Sequence, residues 1–586
     1  MSNPNPSADE VALRSVTGGR WTIRAADEAA VRELTTALGI GRLTAHVLCH
    51  RGVTDAAEAR RFLDHDLQGI HDPLLMRDMD RAVDLVVRAL EQQQPIRIYG
   101  DYDVDGVCAT ALMVRALGGL GAKVDWYIPH RVDEGYGVNE EAIRRASAEG
   151  VGLLITVDCG SSAAAQVALA RDLGLEVIVT DHHHPGAELP DAPMLNPWRA
   201  DCDYPFKHLA GVGVAFKLVS AVARRMGVHE GHEHRFLDLV CLGTVADVVP
   251  LLGENRVFVQ HGLRLLPKSK KTGLAALLEA SGLTGEVLSR HVAFALAPRI
   301  NAVGRMEHAR DAVNLLLTSD PEEARRLAAE LSEQNERRRL EEQLTLEQAE
   351  EMVQEQVDLS REKAIVLGSE GWHPGVIGIV ASRLVERYHR PTLLIAISDG
   401  AGKGSGRSIA AFNLWEALCE CAPLLTRFGG HHFAAGFGVK MEHIPALRAR
   451  LNEVADARLS LDDLAPTVTA DAEAELAELT QGAVKELGRL APFGMGNPAP
   501  VFVTRGLRVV EATAVGAGGA HLSLRLADQA GRTLGGIWFG RGELREIVRS
   551  APRVEVCYRP QIDEWNGNVR VRLFIEDIRR GEEATG

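Results

Sequence analysis

Ile96-Arg97-Ile98-Tyr99-Gly100-Asp101-Tyr102-Asp103-Val104-Asp105-Gly106 is an apolar strand signal that runs into three alternating aspartates held between glycines. Two more apolar runs end the same way. Residues 153–157 lead into Asp158, and residues 177–180 lead into Asp181-His182-His183-His184. Open α/β sheets bind their ligands at the carboxyl ends of strands. Carboxylates gathered there repel one another unless cations neutralise them, so the pattern predicts a divalent-metal site. Asp101, Asp103 and Asp105 share one face of an extended strand tip. Hard oxygen ligands suit Mg²⁺ or Mn²⁺, and imidazole shifts the choice toward Mn²⁺. An EF-hand loop also carries Asp-x-Asp-x-Asp-Gly, but here an apolar helix follows and no glutamate stands at the twelfth position. Asp158 taken alone reads equally well as a helix N-cap.

The surroundings fit an α/β fold. Residues 76–255 alternate strand and helix: strands near 96, 124–128, 153 and 175–180, helices over 107–117, 139–148, 161–173, 209–226 and 233–245. Repeated βαβ units imply a parallel sheet with right-handed crossovers. Asp320-Pro321-Glu322-Glu323 is a helix start, and no Gly or Pro follows until Gly368. Residues 321–357 therefore predict one connector helix of roughly 55 Å at ~1.5 Å per residue. A second α/β domain follows. From Pro466 onward, a helical stretch gives way to short alternating segments at 501–504, 507–512, 522–526, 533–538, 554–559 and 569–575, the pattern of a small β-barrel. The expected division is a helical N-terminal extension (1–75, with helices at 26–38 and 55–63 and Thr54 as a cap), the parallel-sheet domain (76–318), the connector (319–362), the second α/β domain (363–455) and the barrel (456–586).

The chain has 586 residues, 46% hydrophobic and 25% charged, as expected of a soluble multidomain protein. No run approaches the ~18 apolar residues of a membrane helix. Residues 1–10 are polar and lack the apolar core of a signal peptide, so a cytoplasmic location is expected. The eight cysteines show no metal-binding spacing and read as reduced core thiols. A net charge of −15 argues against non-specific coating of nucleic acid, though a local basic groove is compatible with it.

Gly100–Gly106, the strand-terminal Asp158 and Asp181-His182-His183 together resemble the motifs of the DHH phosphoesterase superfamily. Leu209-Ala210-Gly211-Val212-Gly213, Gly243-Thr244-Val245-Ala246-Asp247 and Pro298-Arg299-Ile300-Asn301-Ala302-Val303-Gly304-Arg305-Met306 are similar to strings of its RecJ branch, the single-strand-specific 5′→3′ exonucleases. Gly402-Lys403-Gly404-Ser405-Gly406-Arg407-Ser408 and Phe428-Gly429-Gly430-His431-His432 resemble the DHHA1 module, and Pro492-Phe493-Gly494-Met495-Gly496-Asn497-Pro498 resembles the start of the RecJ OB-fold. The resemblance implies that Asp103 and Asp101 serve one metal, that Asp105, His182 and Asp247 serve a second, and that Asp158 bridges both. His183 would face the scissile phosphate. Arg131, Ser405 and Arg407 would hold a 5′ phosphate or the phosphate next to the cut, the last two from a Gly-rich loop. Arg299, Asn301, Arg305 and His431 would meet the single-stranded DNA. It also implies two Mn²⁺ or Mg²⁺ ions, a monomer, and a helicase and a single-strand-binding protein as partners. Many family members have a histidine where this chain has Tyr99, which leaves the first metal one ligand short.

Other features have plainer readings. The histidines at 229, 232 and 234 suit a solvated loop as well as a metal site. Arg131 could pair with Asp133 or Glu134, and Arg299 and Arg305 could brace the fold. Trp538, Phe539 and Trp565 could stack bases or fill the barrel core. Two rival functions stand beside the exonuclease: a DHH oligoribonuclease or nucleotide phosphatase, and an inactive replication scaffold. The barrel speaks against the first, and the retained acidic ligands against the second.

Overall fold

The computed structural model describes residues 15–581 apart from 65, 131–133, 136, 230, 307–308 and 566–567, with the side chains of 303–306, 565 and 568 also outside the description. The chain forms two units. One is Arg61–Arg338 with Ala491–Pro498; the other is Met1–Arg60, Arg339–Leu490 and Ala499–Gly586.

Strand β1 (Arg20–Ile23) lies in the N-terminal stretch. The first unit holds β2 (Ile96–Gly100), β3 (Val124–Tyr127), β4 (Leu153–Val157), β5 (Glu176–Thr180) and β6 (Met194–Leu195). Their order is β3-β2-β4-β5-β6, every pair parallel. Strands β2 and β4 are buried at all positions, the continuous apolar run that a sheet covered on both faces requires. Ile98, Ile155 and Ile178 face one core with the helices Val104–Gly119, Gly211–Arg225 and Leu237–Ala246. Tyr99, Leu154 and Val179 face the other with helix Glu140–Ala148. The order of the sheet reverses between β2 and β4, so their carboxyl ends form the switch point where such sheets bind ligands. Lys217 and Glu254 are paired with no exposure of either side chain. Lys217 Nζ also donates to the His71 carbonyl at 2.7 Å, and the Tyr204 hydroxyl donates to Glu254 at 2.7 Å.

The connector is one helix, Pro321–Gln356, capped by Asp320, which accepts from the Glu322 N–H at 2.8 Å. Ala324, Leu327 and Leu331 are buried in the core of the first unit, and Ala349 and Val353 in that of the second.

In the second unit, β7 (Ile365–Ser369), β8 (Thr392–Ser398), β9 (Ala401–Arg407), β10 (Leu425–Gly430) and β11 (Ala434–Lys440) form a sheet ordered β10-β11-β9-β8-β7. Only β7 and β8 run parallel. The expected Gly-rich loop is strand β9, paired on both sides, so its backbone N–H groups are committed to the sheet. Its glycines answer a packing demand. A Cβ on Gly404 would lie 2.1 Å from the Phe437 ring, one on Gly402 2.5 Å from Ile395, and one on Gly406 2.5 Å from Leu393.

Strand β12 (Thr467–Ala470) pairs in parallel with β1, so the N-terminal stretch contains a strand as well as helices Glu28–Leu38, Arg42–His50 and Ala56–Asp64. The last of these is capped by Asp55, which accepts from the Glu58 N–H at 2.9 Å, rather than by Thr54. After β13 (Ala472–Glu473) come β14 (Phe502–Val515), β15 (His521–Ala527), β16 (Thr533–Trp538), β17 (Arg553–Trp565) and β18 (Asn568–Gly581). Pairing runs β14-β15-β16-β18-β17 and back to β14, which closes a five-stranded OB-type barrel and removes its edges. The two strands expected at 501–504 and 507–512 are one. Gly506, at φ 67°, lies where the register of β14 against β17 shifts, and the strand goes on to pair with β15.

Candidate metal centre

Asp103 caps helix Val104–Gly119. Its carboxylate accepts from the N–H groups of Asp105 and Gly106 at 2.9 and 3.0 Å, which fixes the turn after β2. Asp105 is buried and accepts from the N–H groups of Gly211 and Val212, at 2.6 and 3.0 Å, so a helix N-terminus faces its charge. Asp158 follows β4 with φ 61°, a left-handed conformation that Asp tolerates better than most residues. The glycines of the neighbouring helices admit these carboxylates. A Cβ on Gly211 would stand 2.6 Å from Asp158 Oδ1, and one on Gly243 2.6 Å from Asp105 Oδ1.

Three sets of side chains could each hold an ion, with ligand atoms within 4.8 Å of one another: Asp101, Asp103 and Asp158; Asp105, His182 and Asp247; Asp158, His182 and His183. His182 Nε2 lies 3.1 Å from Asp158, 3.5 Å from Asp247 and 4.0 Å from Asp105. Asp158 Oδ1, His182 Nε2 and Asp247 Oδ2 are buried with no hydrogen-bond partner among the described residues. Lone pairs converging in a buried space, with hard oxygens and one imidazole, fit a divalent cation.

The electrostatics agree. Burial and the charge of Asp103 push the Asp105 carboxyl up to about 7. Burial, then Asp105 and Asp103, push Asp247 up to about 9 and hold Asp158 well above the carboxylate range. Burial and the neighbouring His183 lower His182 to about 4, which leaves its ring neutral and free to donate a lone pair. Asp181 lies behind the cluster. It accepts from the N–H groups of Ser161, His182 and His183 and from the His183 ring at 2.8 Å. Burial alone would raise it, but the His183 hydrogen bond holds it at about 2. In return, although burial opposes the proton, Asp181 raises His183 above its ordinary range. The sequence put Asp181 beside the histidines without revealing this orienting role. The sequence showed Gly211 and Gly243 within strings resembling the family's, without revealing that a side chain at either would collide with a carboxylate.

Residues 95–244 match the DHH family N-terminal domain, 361–457 the DHHA1 domain and 470–577 the RecJ OB domain. The single-stranded-DNA-specific exonuclease RecJ of Bacillus subtilis is 42% identical over 567 residues, covering 96% of this chain and 71% of that protein. The chain belongs to the RecJ family. RecJ of Thermus thermophilus is 39% identical over 95% of this chain and 78% of its own length. The crystal structure of Thermus thermophilus RecJ with Mn²⁺ superposes with a TM-score of 0.83 at 36% identity, over 97% of this chain and 80% of that one. The same protein with Mg²⁺ gives 0.77 at 35% identity, over 96% and 79%.

Against the RecJ pattern, Tyr99 stands apart from the cluster. Its ring lies 5.4 Å from that of Tyr127 on the opposite face of the sheet, and its hydroxyl donates to the Gly137 carbonyl at 3.0 Å. Ser405 and Arg407 project from the same face of β9. Arg407 donates to Ser405 Oγ at 3.2 Å and to the Gly406 carbonyl at 2.8 Å, and both side chains lie against Gly378 in the first turn of helix Ile377–Tyr388. Burial lowers the Arg407 guanidinium below its ordinary range. Arg299, on helix Ala297–Met306, donates to Ser332 Oγ at 3.1 Å and to the Ala295 carbonyl at 2.6 Å, a bracing geometry. Asn301 is half-buried on that helix, and His431 is exposed after β10. Arg131 and the side chain of Arg305 lie outside the described residues, as does that of Trp565. Trp538 is core at 3% exposure, whereas Phe539 is exposed at 57%. Among the described residues no metal-like group forms at 229–234. Nor, among them, is any helix long and apolar enough to cross a membrane.

Proposed function

We propose that this chain degrades single-stranded DNA from its 5′ end, releasing 5′-mononucleotides by hydrolysis at a paired Mn²⁺ or Mg²⁺ centre. The observation that carries the reading is the buried convergence of Asp158, His182 and Asp247 lone pairs beside a second carboxylate set that shares Asp158. Asp101, Asp103 and Asp158 would hold one ion, and Asp105, His182, Asp247 and Asp158 the other. When bound, such ions activate a water and offset charge on the phosphoryl oxygens. His183, oriented by Asp181, would offer an N–H to the scissile phosphate. Ser405 and Arg407 form a hydroxyl–guanidinium pair beside a helix N-terminus, a chemistry suited to a terminal phosphate, and Arg131 would join them. Arg299, Asn301, Arg305 and His431 would contact the strand. The family's OB barrel favours a polynucleotide over a small nucleotide phosphate.

The reading extends to a cytoplasmic monomer. A helicase would supply it with single strands, and a single-strand-binding protein would share them.

Matched single strands blocked at the 5′ or the 3′ end, digested with Mn²⁺ and Mg²⁺ in turn, test the reading. Mononucleotide release should stop only with the 5′ block. Degradation of the 5′-blocked strand, or full activity in Asp158→Ala, would overturn it.

A further inference from the structure

Ala491–Pro498 folds with the metal-site unit, whereas the chain before and after it belongs to the other unit. This detour lies on the loop that leaves the metal centre. Asp247 ends helix Leu237–Ala246, and Val248-Val249-Pro250-Leu251-Leu252 follow. The Leu251 N–H donates to the Met495 carbonyl at 2.8 Å. Ser289 Oγ donates to the Phe493 carbonyl at 2.6 Å, and buried Arg256 donates to the Ala491 carbonyl at 2.8 Å. The glycines of the detour are fitted to the loop. A Cβ on Gly494 would stand 2.7 Å from Leu251 Cδ1, and one on Gly496 3.1 Å from Pro250 Cβ. The detour is itself stiff. Gly494 and Asn497 exchange backbone hydrogen bonds of 2.9 and 3.1 Å, and Asn497, fully buried, donates to the Pro492 carbonyl at 2.9 Å.

The loop needs an external hold. Val248, directly after Asp247, has φ 60° and is 59% exposed. A β-branched residue in the left-handed region is strained and persists only where its surroundings impose it. Its own side chain, in solvent, does not. Nor, among the described residues, does a hydrogen bond fix Asp247 Oδ2. The aim of that carboxylate is therefore set by the backbone on both sides of it: the helix end, where the Asp247 N–H donates to the Gly243 carbonyl at 2.9 Å, and the loop that follows.

We propose that Ala491–Pro498 is a positioning strap. It fixes the 248–252 loop and so aims Asp247 at the metal centre, and the segment leading into the barrel thereby sets metal affinity. The proposal rests on the metal reading above.

The test is Mn²⁺ titration calorimetry on the full chain and on Gly494→Ala, Ser289→Ala and Asp247→Ala, with thermal melts alongside. Asp247→Ala should lose one Mn²⁺. The strap variants should keep both sites and bind one of them about tenfold more weakly, at the low end of what outer-shell changes cost. Their nuclease activity should recover at saturating Mn²⁺. Unchanged Mn²⁺ affinity in both strap variants, or a rate lowered equally at every Mn²⁺ concentration, overturns the strap. If Gly494→Ala fails to fold, Ser289→Ala decides alone. A wild-type chain that binds no Mn²⁺ overturns the metal reading, and the strap with it.

Discussion

Stripping divalent ions from the protein and raising the pH from 6 to 8 should destabilise the unit that carries the aspartates. Asp105 has its carboxyl raised from about 3.8 to about 7 by burial and by Asp103. The folded state then binds a proton that the unfolded state has already released. Stability from such a group is fully present below the unfolded pKa and is lost as pH rises through the folded one. From pH 6 to 8 the unfolded carboxyl stays ionised while the folded one gives up its proton only near pH 7, a net loss on the order of 1 kcal/mol from Asp105. Asp247, raised to about 9, drives the change in the same direction. His182, lowered to about 4, acts with the opposite sign, but chiefly between pH 4 and its ordinary 6.5. At about 2–4 °C per kcal/mol for a unit of this size, Asp105 alone should lower Tm by a few degrees. The assay is calorimetric melting in EDTA at half-unit pH steps, for wild type and Asp105→Asn. The variant should show a shallower fall. With saturating Mn²⁺ the wild-type slope should vanish or reverse, because bound cations displace the protons. Identical slopes for wild type and Asp105→Asn in EDTA would refute the reasoning.

Lys217→Met would leave the fully buried Glu254 without its cation and should cost about 3–5 kcal/mol, read as a fall in Tm; Lys217→Met with Glu254→Gln should recover most of it, and an unaltered melt in the single variant would count against the buried pair. Gly404→Ala puts a methyl group 2.1 Å from the Phe437 ring and should cost about 1–3 kcal/mol in denaturant unfolding, with Phe437→Leu restoring part of the loss; no change would mean that β9 packs otherwise. Arg407→Ala should erase any preference for a 5′-phosphorylated over a 5′-hydroxyl single strand, and an unchanged ratio of kcat/KM for the two would sink its role as terminus reader.

Local chemistry explains what the sequence disclosed. Strand ends followed by Asp101–Asp105, Asp158 and Asp181–His183 encode the parallel sheet and its switch point within a few residues each, and Asp320-Pro321 encodes the connector. What stayed hidden depends on distant partners. The 402–407 run looks like a turn because glycine is a poor strand former, and the reason for those glycines, the Phe437 ring, sits in another strand. Tyr99 reads as a missing ligand, yet its ring is taken up by the core beside helix Glu140–Ala148 and by Tyr127, partners that lie far along the chain. Trp538 offered two readings that only the closed barrel separates.

The pairing of β1 with β12 has a consequence for synthesis. Trp21 and Ile23 pack against Ala470, Val503 and Cys557. On the ribosome, Thr467 emerges about 440 residues after Ile23, which at ~5–20 residues per second is roughly 20–90 s. Throughout that interval the leading strand has no mate, and the whole Arg61–Arg338 stretch of the metal-site unit emerges before that mate does. The nascent chain thus carries an uncovered apolar strand until late in synthesis, the kind of unpaired edge through which chains misassemble.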